Sequence, residues 1–130
     1  MSPINKKFCE KQEIKRKGIL KMTVITFKEF QKMDLRIGKV LTAEKVPNTK
    51  KLIKMNVDIG QGETRQIIAG MAEHLKPENL IGKSVVVLVN LEPKEFMGLQ
   101  SRGMILAADL NGRPILITPE EEIPPGTKIR

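Results

Sequence analysis

An all-β domain of five main strands is the fold that this 130-residue sequence predicts. The first observation behind it is the segment "LIKMNVDIG". There Ile53, Met55, Val57 and Ile59 fall on one side and Lys54, Asn56 and Asp58 on the other, the two-residue period of a half-buried strand. The second is a pair of short apolar runs, "SVVVLVNL" and "GMILAADL", rich in the branched residues that suit a pleated surface. The third is the punctuation, "GQGE" at 60–63 and "NGR" at 111–113, which are turn chemistries between strands.

The elements follow in chain order. Residues 1–22 read as a basic N-terminal arm, in which Gly18 interrupts any helix and no apolar stripe forms. In "TFKEFQKM", Thr26 with Glu29 three residues later is a capping-box pattern for a short helix. Phe27, Phe30 and Met33 share a face that would plug the end of a sheet. "DLRIGKVLTAEKV" is the first strand, with Leu35, Ile37, Leu41 and Ala43 inward and Gly38 permitting a bulge or bend. "LIKMNVDIG" and "TRQIIAGM" then form a hairpin, and "AEHLKPENLIGK" breaks the pattern with a short helix around Glu78–Leu80. "SVVVLVNL" and "GMILAADL" are the fourth and fifth strands, each read as continuously buried.

Three strands in a meander, a helix, and two further strands is the order of an OB-fold, a five-stranded barrel. Its binding face is flanked by the connections between strands one and two and between strands four and five, here "VPNTKK" (46–51) and the stretch 90–104. The latter is longer than the two to five residues a tight hairpin needs. Residues from about 111 to 130 exceed the barrel and make a C-terminal extension suited to covering an edge or an interface. The organisation expected is an arm, 1–22, and one domain, 23–130.

Cys9 is the single cysteine, so neither an internal disulfide nor a cysteine-built metal site is expected. The polar, basic N-terminus offers no secretory signal or membrane span. The expected setting is the cytoplasm, without a membrane partner. Net charge is +8, and the arm alone, with seven basic and two acidic residues, holds +5 of it. Any polyanion site on the domain must therefore come from local clustering. With four Phe and no Trp or Tyr, stacking platforms for single strands are scarce.

Catalytic signatures are missing. "GQG" (60–62) lies in a hairpin rather than at a strand-to-helix turn, and His74 is the single histidine. Neither a dinucleotide fingerprint, nor a zinc site, nor a nucleophile-and-base pair is expected. No enzyme activity, cofactor or metal follows. Binding candidates are richer. Lys50, Lys51 and Lys54 stand at or beside a Pro-Asn turn, and Arg36, Lys39 and Arg65 on neighbouring strands make a groove if they share a face. In 90–104, Lys94, Ser101 and Arg102 can donate to phosphate or base, while Phe96, Met97 and Met104 offer apolar surface.

The string "DLRIGKV…KLIKMNVDIG…RQIIAGM…GKSVVVLVNLEP…MGLQSRGMILAA" resembles the tRNA-binding domain found at the C-terminus of bacterial methionyl-tRNA synthetases and in free-standing tRNA-binding proteins. The likeness covers residues 27–129; "VPNTKKL" is similar to the family's H-P-x-A-D-K-L turn and "NLEPKEFMGLQSRGM" to its N-L-K-P-x-K-x-x-G-x-x-S-x-G-M. The resemblance implies structure-specific tRNA binding and a homodimer. It implies a non-catalytic module, free or serving as the beta subunit of a separate methionyl-tRNA synthetase chain. Position by position it assigns Lys51 to the turn lysine, Asn90 and Pro93 to the start of the second loop, and Ser101, Gly103 and Met104 to the S-x-G-M signature. Together with the readings above, the expected tRNA contacts are Arg36, Lys50, Lys51, Lys54, Arg65, Asn90, Lys94, Ser101, Arg102 and Met104. Glu92 and Glu95 depart from usually basic positions, and Ala69 from a frequent serine. The alternative is a CsaA-type export chaperone, a relative with the same barrel that holds unfolded peptides.

Overall fold

The computed structural model describes residues 23–130, which divide into a unit ending at Lys32 and one spanning Met33–Arg130. The arm expected at 1–22 lies outside the described residues. In the first unit, helix α1 (Phe27–Gln31) starts where the capping box places it, with Thr26 Oγ1 accepting from the Glu29 amide at 3.1 Å. None of its residues is buried, and Phe27 is exposed.

The second unit is an all-β, OB-like fold. Its strands are β1 (Leu35–Lys45), β2 (Ile53–Asp58), β3 (Thr64–Ala69), β4 (Ser84–Leu88), β5 (Lys94–Phe96), β6 (Leu99–Ser101), β7 (Met104–Leu110) and β8 (Arg113–Leu116). Six form one antiparallel sheet in the order β3-β2-β1-β4-β7-β8, and β5-β6 form a separate ribbon. The helix expected between the third and fourth strands is a single 3₁₀ turn, Pro77–Asn79.

β1 belongs to two pairings at once. Residues 35–39 pair with β4, and 39–45 with β2. A register shift between Val40 and Thr42 makes Leu41 the extra residue. An inserted residue reverses the inward-outward phase, so Val40 is buried and Leu41, expected inside, is exposed. Gly38 is not the bulge. A Cβ there would stand 2.6 Å from Val57 Cγ1 and 2.8 Å from Val87 Cγ2, so the bare backbone lets β2 and β4 side chains close over β1.

The core is the alternating face of β2 (Ile53, Met55, Val57) with Ile59, joined by Val40, Ile67, Leu80, Val85 and Val87. β4 is buried on alternate residues rather than throughout, with Val86 and Leu88 half-buried. In β7 Ile105 alone is buried.

The C-terminal extension does cover an edge. On the half of β1 that β2 leaves unpaired, Gly126 donates to Ile37 O (2.7 Å), Ile37 to Thr127 O (2.9 Å) and Ile129 to Leu35 O (2.9 Å). The crossing is tight. A Cβ on Gly60 would lie 2.7 Å from Gly126 Cα, and both residues hold positive φ (95° and 91°), where a side chain is strained.

Candidate nucleic-acid interface

The long 90–104 connection is ordered, not a loose loop. Lys94 pairs with Ser101 and Phe96 with Leu99, so β5 and β6 make a hairpin. Its two central residues, Met97 and Gly98, both have positive φ (51° and 80°), the backbone of the two-residue turn that matches strand twist. At its base, Asn90 Oδ1 accepts from the Asp34 amide at 2.8 Å, and Val89 N donates to Asp34 O at 2.8 Å. These bonds tie the start of the connection to the start of β1.

The far side of the hairpin is fastened to β3, whose outer edge carries no ladder partner among the described strands. Arg102 N donates to Gln66 O (2.8 Å), Gln66 Nε2 to Gln100 O (2.9 Å), and Ile68 N to Ser101 Oγ (3.0 Å). Ser101 Oγ in turn donates to Gly103 O at 3.2 Å, and the residue is 4% exposed. Its hydroxyl is therefore a staple between β3 and the β6–β7 corner. This corrects the expectation that Ser101 donates to phosphate: its one proton is spent and it lies beneath the surface.

The first loop meets the same end of the sheet. It is closed by Val46 N to Leu52 O (3.0 Å) and Thr49 Oγ1 to Val46 O (2.7 Å). Ala72 N donates to Lys51 O at 2.8 Å. Because Ile68 is held by Ser101 and Ala72 by Lys51, only four residues of chain separate the two attachments, at most about 14 Å. Lys51 and Ser101 thus lie at one end of the molecule.

Two cavities flank the second connection. One, of about 620 Å³, is lined by Arg36, Arg65, Asn90 and Arg102 together with Asp34, Glu63 and Glu92. It brings four expected residues together, but not as a cationic groove. Arg36 is clamped by Asp34 through two bonds of 2.8 and 2.9 Å, and Arg65 Nη2 lies 3.4 Å from Glu63. The clamp holds the Asp34 carboxyl below its ordinary range and raises the Arg36 guanidinium, the mutual hydrogen bond being the largest cause of each shift. Lys54 is likewise paired, 2.8 Å from Glu44 on the adjacent strand. Lys39 faces elsewhere, beside Ser84 and Pro124.

The second cavity, about 520 Å³, is mainly apolar. Met71, Phe96, Met104 and Ile105 line it, with Lys94 and Ser101; Lys94 Nζ sits 5.0 Å from the Phe96 ring centre. Leu91 and Glu92 line both cavities and form the ridge between them.

Of the expected cations, Lys50, Lys51, Lys94 and Arg102 make no ion pair with any described residue. These four border one end of β3, from the Lys51–Ala72 bond to the Arg102–Gln66 bond. Sequence reading missed the distinction between paired and free charge. Asp34 two residues before Arg36, and Glu63 two before Arg65, were the signal for it, since residues i and i+2 share a strand face.

Comparison with known proteins agrees with this geometry. A family model described as "Putative tRNA binding domain" matches residues 35–128. The methionine–tRNA ligase of Archaeoglobus fulgidus is 58% identical over 105 residues, 81% of this chain and 16% of the ligase. The chain thus spans about a sixth of the length of that relative. Among solved structures, a MetRS-related protein from Pyrococcus horikoshii has 42% identity and a TM-score of 0.78, covering 82% of this chain and 98% of that one. The chaperone CsaA of Bacillus anthracis has 35% identity and a TM-score of 0.74, covering 83% and 100%. By the family match and these identities, the chain belongs to the tRNA-binding domain family.

Proposed function

We propose that this chain is a non-catalytic module that binds folded tRNA through the end of the sheet where its two connections meet. The observation that carries the reading is the set of unpaired cations, Lys50, Lys51, Lys94 and Arg102, on loops fastened to β3 by backbone hydrogen bonds. Fixed cations meet phosphates with little ordering cost, and backbone contacts position without reading sequence. Scarce aromatics fit recognition of shape rather than of stacked single strands.

In this reading Arg36, Arg65 and Lys54 support the site through their carboxylate partners, Asn90 anchors the second connection, Ser101 staples it, and Met104 supplies apolar surface. The protein works in the cytoplasm as a homodimer, free or beside a methionyl-tRNA synthetase catalytic chain. A dimer doubles a modest surface on one rigid body. The basic arm, residues 1–22, is a separate segment that adds long-range attraction to a polyanion, and 23–130 is the binding domain.

A second reading, a chaperone for unfolded polypeptide, is favoured by the likeness to CsaA across that whole chain and by the apolar cavity. Mobility-shift binding of folded tRNA, unfolded RNA, single-stranded DNA and a reduced, unfolded polypeptide at two salt concentrations separates the two. The tRNA reading expects preference for folded tRNA with a steep salt dependence. Preference for the polypeptide with no salt dependence would refute it.

A further inference from the structure

We infer that the apolar cavity between β3 and the β5–β6 hairpin takes one unpaired nucleobase, and that Glu92 on its rim selects bases bearing an exocyclic amino group. The inference rests on the RNA-binding reading and adds an occupant and a selectivity to it.

Three features of the cavity point to a base. First, the free cations surround it: Lys94 stands in its wall, Arg102 is flanked by the lining residues Ser101 and Gly103, and Lys51 is bonded to Ala72 next to the lining residue Met71. A phosphate backbone passing from Lys51 to Arg102 must cross the cavity mouth, and a charged chain cannot leave its charge over an apolar floor without a planar apolar group turned into it. Second, the mouth exposes apolar surface on Leu91 and Met104, each 42% exposed, and holds the Phe96 ring, with an ammonium beside it. Base-on-aromatic stacking needs such a ring and tolerates any base. Third, the volume, about 520 Å³, admits a base with room to spare.

Glu92 supplies the selection. Its carboxylate has no ion-pair partner among the described residues and lies on the ridge shared with the arginine-lined cavity. An acceptor-only group repels phosphate but receives the amino group of cytosine or adenine. It has nothing to accept from the uracil edge except the ring N–H. The ridge therefore turns the backbone aside and rewards an amino-bearing base.

The test titrates the full chain with three pentaribonucleotides, of cytidine, adenosine and uridine, whose backbones carry the same charge. The cytidine and adenosine oligomers should bind about fivefold to tenfold more tightly than the uridine oligomer. Glu92→Ala, at an exposed site, should tighten the uridine oligomer and bring all three within about twofold, because it removes both repulsion and acceptor. Phe96→Ala should weaken all three by about fivefold or more. Equal binding of the three oligomers by the unaltered chain overturns the selectivity, and unchanged binding in Phe96→Ala overturns the base site. If Phe96→Ala instead alters sedimentation or polypeptide capture while the oligomers are unaffected, the cavity serves a second copy or a peptide and the inference fails. Folded tRNA binding that persists with its salt dependence in any of these cases leaves the parent reading standing; its absence would end that reading instead.

Discussion

Ser101→Ala separates a staple from a contact. In the native chain Ser101 Oγ accepts from Ile68 N at 3.0 Å and donates to Gly103 O at 3.2 Å. Ile68 is 6% exposed, so its amide has no ready access to water once the hydroxyl is gone. A buried donor left unpaired costs about 1–3 kcal/mol. The Gly103 carbonyl loses its bond too, and a small void replaces the oxygen, so the expected loss is roughly 2–3 kcal/mol. At about 4–8 °C per kcal/mol for a domain of this size, Tm should fall by roughly 10–20 °C. Urea unfolding monitored by circular dichroism measures the loss, and native-state hydrogen exchange should show the Ile68 amide deprotected beyond the global change. Below its lowered Tm the variant should keep the salt dependence of tRNA binding. A loss under about 0.5 kcal/mol with Ile68 protection unchanged would refute the staple. A fall in RNA affinity without a fall in stability would return Ser101 to the contact surface.

Other expectations follow from single observations. Gly60→Ala puts a methyl 2.7 Å from Gly126 Cα at a φ of +95°; it should destabilise by about 2 kcal/mol or more and deprotect the Ile37 and Ile129 amides, and a neutral result would refute the tight crossing. Met97→Asn places the preferred residue at the positive-φ position before Gly98, and a gain of about 0.5–1 kcal/mol in urea unfolding is expected. The Asp34 carboxyl, depressed below 3.8 chiefly by the Arg36 hydrogen bond, leaves the native state with fewer protons than the unfolded chain in acid. Its stabilisation is thus full above about pH 4 and lost as pH falls through the native value. Asp34→Asn should flatten that limb of the stability-versus-pH curve, and an unchanged limb would contradict the clamp.

The fold was legible where one face alone is buried. The alternation of β2 survives intact, because Ile53, Met55, Val57 and Ile59 are all essentially inaccessible. β1 was harder. Its inserted residue at Leu41 follows from the demand that one strand serve β4 and then β2, a tertiary requirement with no local signature. The β5–β6 hairpin hid because Met97 occupies a left-handed position that sequence rules reserve for Asn, Asp or Gly. The site was legible as two connections and a list of cations. What the list could not show is which cations are spent. Arg36, Arg65 and Lys54 look equivalent to Lys51 in one dimension, and differ only through Asp34, Glu63 and Glu44 beside them. Ser101 was placed in the right loop and given the wrong task, since its neighbour across β3, Ile68, is 33 residues away.

The division between spent and free charge is tested most directly by the salt dependence of folded tRNA binding. Each cation that meets a phosphate should contribute roughly 0.9 to the slope of log K against log salt. Alanine at Lys50, Lys51, Lys94 and Arg102 together should therefore flatten the slope by roughly three to four, with folding intact. Arg36→Ala and Lys54→Ala should each leave it unchanged. A slope that responds to Arg36 and Lys54 but ignores Lys51 and Arg102 would contradict the account.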